Sequence, residues 1–280
     1  MGNFYTRTFT AVWIVIFILG GFWLHPVSFF ITGLILLAGA QYEYYLMVKS
    51  TGVRAQMITG IISGCSLYIV STLVAVGKAG EEYFLLMIPL ALTVMIAELF
   101  RKQEKPFDSL AHTFFAIIYI AIPFSMFPFS AFSWTGFSSL IPHPGIIFSP
   151  GIIVGFLLLL WANDTGAYLT GVNIGKHRLL ERISPKKSWE GFFGGMITAL
   201  LAAWLLSGWL GILDRTGWMI VSLIISIFGT FGDLIESMLK RSTGLKDSGS
   251  IMPGHGGFLD RFDSAIISFP PVYLFISLFG

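Results

Sequence analysis

Nine predominantly apolar runs divide this chain and leave it few folds to choose from. They extend from Phe9 to Leu24, Val27 to Met47, Met57 to Val76, Tyr83 to Phe100, Leu110 to Phe127, Gly151 to Gly171, Gly191 to Leu210, Met219 to Met238 and Ala265 to Phe279. A helix needs about 20 apolar residues to cross a hydrocarbon core about 30 Å thick; the first and last runs are short for this and the others match it. Of the residues, 55% are hydrophobic and 11% charged, a balance that suits lipid as the solvent and not water. The expected fold class is therefore all-α, a polytopic transmembrane helical bundle of nine helices. Pro89, Pro123, Pro270 and Pro271 are candidate points for a kink or a helix end.

The cations give the bundle a direction. With the N-terminus in the cytosol, alternating the loops places all of the 17 Lys and Arg on the cytoplasmic side except Lys78 and Arg215. The first run follows Arg7 and has the look of a signal peptide, but no small-residue cleavage site follows it. Phe22-Trp23-Leu24-His25-Pro26 is a poor processing site, so a retained helix is expected. Cys65, the only cysteine, sits inside the third run and has no intrachain partner. A net charge of +2, spread over several loops, argues against a nucleic-acid partner. For Lys49, Arg54 and the cluster from Arg101 to Lys105, anionic lipid headgroups are the plain expectation.

Residues 1–150 read as an N-terminal transmembrane region with nothing resembling an active site. Residues 151–280 read as a catalytic transmembrane region with cytoplasmic loops at 172–190 and 239–264. There the helices themselves carry ionisable groups. Asp164 lies near the cytoplasmic end of the sixth run, where an intramembrane functional carboxylate and a headgroup-level carboxylate are equally good readings. Asp233, Glu236 and Lys240 share one helical face. Lys240 can pair with Glu236, which leaves Asp233 as the candidate for a metal or substrate. Asp260 and Asp263 repeat the three-residue spacing at the head of the last helix, where one acid is expected for dipole reasons alone. Together with Asp233 they make a hard oxygen set suited to Mg²⁺ and unsuited to zinc. Gly254, Gly256 and Gly257 let backbone amides approach phosphate, and Lys240, Arg241, Lys246 and Arg261 can balance its charge. A second basic loop, Ile183 to Gly191 with Lys186 and Lys187, faces the same compartment and can close over the site.

The run Ser237-Met-Leu-Lys-Arg241, then Lys246-Asp247, then Pro253-Gly-His-Gly-Gly257 and Asp260-Arg-Phe-Asp263 resembles the signature of the phosphatidate cytidylyltransferase family, the CDP-diacylglycerol synthases. The Ile183 to Gly191 loop resembles a family feature as well. Met252 departs from the pattern, standing where the family usually carries Leu, Ile or Phe. The resemblance implies the reaction of CTP with phosphatidate to give CDP-diacylglycerol and pyrophosphate. It also implies metal ligation by Asp233, Asp260 and Asp263, with Mg²⁺ and room for a second cation such as K⁺. Lys240 joins the catalytic set, and Arg241, Lys246 and Arg261 become phosphate contacts. Asp164, Lys186, Lys187, Asp247, His255, Gly256 and Gly257 complete the expected substrate-binding set, with a structural role equally open for His255. The partners implied are CTP, phosphatidate and the lipid bilayer, with a homodimer left open. The expected location is a bacterial inner membrane with the site facing the cytosol.

Rival readings are a CTP-dependent polyprenol or phytol kinase, a cytidylyltransferase for another lipid phosphate and, outside enzymes, an ion channel or transporter. A channel has no use for the Lys-Asp and His-Gly-Gly loop.

Overall fold

The computed structural model describes residues 2–132, 148–245, 249 and 256–280, with side chains from residue 12 onward. Each of the nine apolar runs forms a helix, and among the described residues eight helices are long and apolar enough to cross a membrane. Among the described side chains, the first helix contributes the apolar stretch Val12–Trp23. Packing divides the chain into two compact units, residues 1–150 with 242–262, and residues 151–241 with 263–280. The segment Ser242–Phe262, which the sequence groups with the C-terminal region, thus packs with the N-terminal helices.

The first unit contains α1 (Gly2–Trp23), α2 (Pro26–Lys49), α3 (Met57–Ala75), a 3₁₀ turn (Glu81–Leu86) running into α4 (Met87–Phe100), α5 (Pro106–Ala116), a π turn (Ile117–Ala121) and α6 (Ile122–Phe132). His25 starts α2 as a reciprocal cap, its Nδ1 accepting from the Val27 N–H while its own N–H donates to Ser28 Oγ, with Pro26 in the first turn. Edge-on rings fill the centre: Phe22 meets Phe29 at 5.1 Å and Phe127 at 5.9 Å, and Phe29 meets Phe132 at 5.4 Å.

The prolines behave according to position. Pro123 stands two residues after the π turn, and that widened turn accommodates a ring and a missing N–H that a regular helix resists. Pro89 falls in the first turn of α4, directly after the 3₁₀ turn, a position that tolerates proline. Pro270 and Pro271 neither end nor shorten their helix, which continues to Phe279.

Arg101 is engaged within its own unit. It donates to Glu98 Oε2 at 2.8 Å, to Ser109 Oγ at 3.0 Å and to the Arg54 carbonyl at 2.8 Å, and Gln56 Nε2 donates to the same Glu98 oxygen at 2.7 Å. Glu98 is buried. This network ties the start of α3, the end of α4 and the start of α5 together and supplies the buried carboxylate with a cation and hydrogen bonds.

The second unit contains α7 (Gly151–Ile174), a β-hairpin of β1 (Arg178–Leu180) and β2 (Ser184–Ser188), α8 (Trp189–Leu210), most of α9 (Arg215–Ser242), and α10 (Leu259–Phe279) from Asp263 onward. The hairpin is the departure from an all-α chain; its strands pair antiparallel with Arg178 opposite Ser188 and Leu180 opposite Ser184. Helices α7 and α8 meet through small residues. A Cβ added at Gly195 would stand 2.7 Å from the Asn163 carbonyl oxygen, and one at Gly191 2.9 Å from that of Ala167. Close approach of this kind is how membrane helices associate, since lipid tails offer no hydrophobic drive.

Candidate active site

Four charged side chains of the second unit come from four different elements. Asp164 stands on α7, Lys187 on β2, Asp233 on α9 and Asp263 near the head of α10. Lys187 Nζ lies 2.5 Å from Asp233 Oδ2, while Asp164, Asp233, Asp263 and Lys187 act electrostatically on one another. Three carboxyl groups and one ammonium make up this cluster. Asp233 is 40% exposed at its side chain and Lys187 24%, so the pair is open to an incoming solute. Asp164 is exposed, whereas Asp263 is buried and its Oδ1 accepts from the Ser264 N–H at 2.6 Å.

The backbone explains how these groups reach each other. Strand alternation separates the two lysines of the hairpin, Lys186 outward and exposed, Lys187 inward and half-buried. Ser188 Oγ accepts from the Gly191 N–H and so caps α8. Glu190 accepts from the Lys176 and His177 N–H groups and meets His177 Nδ1 at 2.6 Å. The hairpin is thereby fastened at both ends to the head of α8. On the other side, Gly232 brings α9 onto α10: a Cβ there would be 2.6 Å from the Asp263 carbonyl oxygen and 2.8 Å from Ser264 Cα. No residue other than glycine fits immediately before Asp233.

Lys240 is held by Glu236, Nζ to Oε2 at 2.5 Å along the helix, with Glu236 buried. Arg241 and Arg261 are exposed. In the first unit, Gly256 has φ +79°, and the Gly257 N–H donates to Asp260 Oδ2 at 3.0 Å, so Asp260 closes the turn that opens α10. Lys246, Asp247 and His255 lie outside the described residues.

Among the described residues, no three His, Cys, Asp or Glu side chains converge closely enough to hold a metal ion. The donor set still suits a hard divalent cation in chemistry and charge. Mg²⁺ is commonly held by one or two carboxylates and takes its remaining ligands from substrate phosphates and water.

Sequence reasoning passed over Glu43, Asn163, Ser188 and the Glu190–His177 pair. Ser188 was within reach of it, since a Ser just before an apolar helical run is a capping signal. Glu43, an acid inside an apolar run, was equally visible.

A model of the cytidylyltransferase family matches residues 5–279. The chain belongs to that family. Among its cytidylyltransferase relatives, the protein named phosphatidate cytidylyltransferase of Bacillus subtilis (strain 168) is 45% identical over 125 residues, which are 44% of this chain and 46% of the relative. Proteins of the same name from Staphylococcus epidermidis and Staphylococcus aureus (strain COL) are 47% and 48% identical over 115 residues, 40% of this chain and 44% of each relative. The matched stretch thus spans less than half the length of these curated relatives. The Lys187–Asp233 pair puts a cation and a carboxylate side by side at one point of this unit.

Proposed function

We propose that this cytidylyltransferase transfers the CMP moiety of CTP to phosphatidate, giving CDP-diacylglycerol and pyrophosphate, at the cytosolic face of a bacterial inner membrane. The observation that carries the reading is the open Lys187–Asp233 pair beside Asp164 and Asp263 within an apolar helical bundle. The names of the relatives and the signature around Asp260 and Asp263 support the choice of substrates. The distribution of Lys and Arg supports the orientation.

A phosphate oxygen of phosphatidate attacks the α-phosphorus of CTP. The new P–O bond forms as the bond to the α–β bridging oxygen breaks, and the electron pair leaves with pyrophosphate. The phosphate monoester is already largely ionised near neutral pH, so no strong base is required. The obstacle is the approach of two polyanions, and the chain's cations answer it. Lys187 neutralises phosphate charge beside Asp233, while Lys240, Arg241 and Arg261 provide further positive charge at the ends of α9 and α10. Mg²⁺, held by Asp233 and Asp263 with Asp260 as the third carboxylate expected from the signature, would draw charge from the phosphates when bound. K⁺ is the proposed second cation.

Acceptor choice tests the reading. Purified protein given CTP and Mg²⁺ should form a CDP-lipid from phosphatidate and no product from an unphosphorylated polyprenol or phytol. Phosphorylation of the alcohol would make the protein a lipid kinase.

A further inference from the structure

Helix α2 carries a fully buried acid, Glu43, within a membrane-spanning run. A carboxylate in that setting is costly unless it is hydrogen-bonded, so its partners are informative. Its Oε2 accepts from the Leu259 N–H at 2.9 Å. Leu259 is the first residue of α10, the helix that carries Asp260 and Asp263. One turn earlier on α2, Gly39 lies against Phe258; a Cβ there would be 2.8 Å from the ring. Gly249 approaches Glu43 as closely, with a Cβ position 2.7 Å from Oε1. Residues 39 and 43 share one helical face, and that face seats the segment Ser242–Phe262 at 249, 258 and 259.

We propose that Glu43 is a positioning residue for the catalytic segment: its carboxylate holds the Leu259 N–H and so fixes where α10 begins and where its acids stand. Glu43 and Asp260 divide the work, Glu43 taking the amide at 259 and Asp260 the amide at 257. A helix start that shifts by one residue rotates every side chain after it by about 100°. Helix α2 thereby supports the segment that carries Asp260 without touching substrate itself. The catalytic consequence rests on the proposed cytidylyl transfer; the structural one does not.

The test compares wild type, Glu43→Ala, Glu43→Gln and Gly249→Ala in the full chain in detergent, by steady-state kinetics and by hydrogen exchange of residues 256–262. Glu43→Ala is expected to lower kcat about tenfold with KM for CTP changed less than about twofold, as fits a lost buried hydrogen bond that acts through geometry. Exchange should speed up at 256–262 and stay unchanged in α7 and α8. Glu43→Gln, whose amide oxygen still accepts, should restore most of kcat. Gly249→Ala, which pushes on the carboxylate and leaves α2 unaltered, should reproduce the local loss of protection. A folded Glu43→Ala protein with wild-type kcat, no rescue by Gln, or loss of protection spread over the whole N-terminal unit would each overturn the proposal. Should Glu43→Ala fail to fold, Glu43→Gln and Gly249→Ala decide it. If wild type forms no CDP-lipid, the proposed function fails, and the exchange measurements still decide the positioning role.

Discussion

Replacing Lys187 with alanine separates a catalytic cation from a structural one. The pair it forms with Asp233 is short, 2.5 Å, but the side chains are 24% and 40% exposed. Solvent screening at that exposure limits the pair to about 0–1 kcal/mol of stability. For a chain of this size, that moves the thermal midpoint by no more than about 4 °C. A cation that stabilises charge developing on phosphate is worth far more to the reaction than to the fold. Loss of one such group costs about 2.7–4 kcal/mol of the barrier, or about 10²–10³ in kcat. Lys187→Ala should therefore leave a folded protein with kcat about a hundredfold lower, and Lys187→Arg should recover part of the loss because it keeps the charge and alters the geometry. The assay is the initial rate of CDP-lipid formation against CTP, run beside thermal unfolding in the same detergent. Wild-type kcat in Lys187→Ala, or a loss matched by the fraction of unfolded protein, would refute the argument.

Four further substitutions probe separate links. Asp263→Asn and Asp260→Asn should each keep the fold and lose Mg²⁺-dependent turnover by about a hundredfold, measured as activity against Mg²⁺ concentration; full activity would remove that carboxylate from the site. Gly232→Ala puts a methyl 2.6 Å from the Asp263 carbonyl oxygen, which belongs to backbone and cannot swing aside. It should cost about 1–3 kcal/mol of stability and lower kcat together, read by thermal unfolding and by rate. Arg101→Ala strips Glu98, whose side chain is 2% exposed, of its charged partner and should destabilise by about 1–3 kcal/mol. Its kcat per folded molecule should stay at the wild-type value.

The helices were legible because lipid imposes a length and a hydrophobicity that nothing else in a chain imitates, and each of the nine runs became one. The hairpin at Arg178–Ser188 was not, since short polar strands such as Ser-Pro-Lys-Lys-Ser carry no alternating apolar pattern. Lys187 is one of the two lysines that the sequence offers in that loop, and its contact with Asp233 lies within one unit. The pairing of Lys240 with Glu236 was visible as a four-residue spacing, because helix geometry alone brings such residues together. Glu43 and Arg101 show the converse. Their partners at Leu259 and at Arg54 are distant in sequence, and no local period announces a contact across 216 or 47 positions. Gly232 reads in sequence as one more small residue of a membrane helix; the backbone it admits becomes visible only in the packed unit.

Label tracking tests cytidylyl transfer most directly. The protein is incubated with phosphatidate, Mg²⁺ and CTP carrying one label on the α-phosphate and another on the γ-phosphate, and lipid and aqueous products are counted separately. Cytidylyl transfer predicts α-label in the lipid and γ-label in pyrophosphate, in equal amounts, abolished together in Asp263→Asn. Label of the γ-phosphate in the lipid, or neither label leaving CTP with any lipid phosphate supplied, would contradict it.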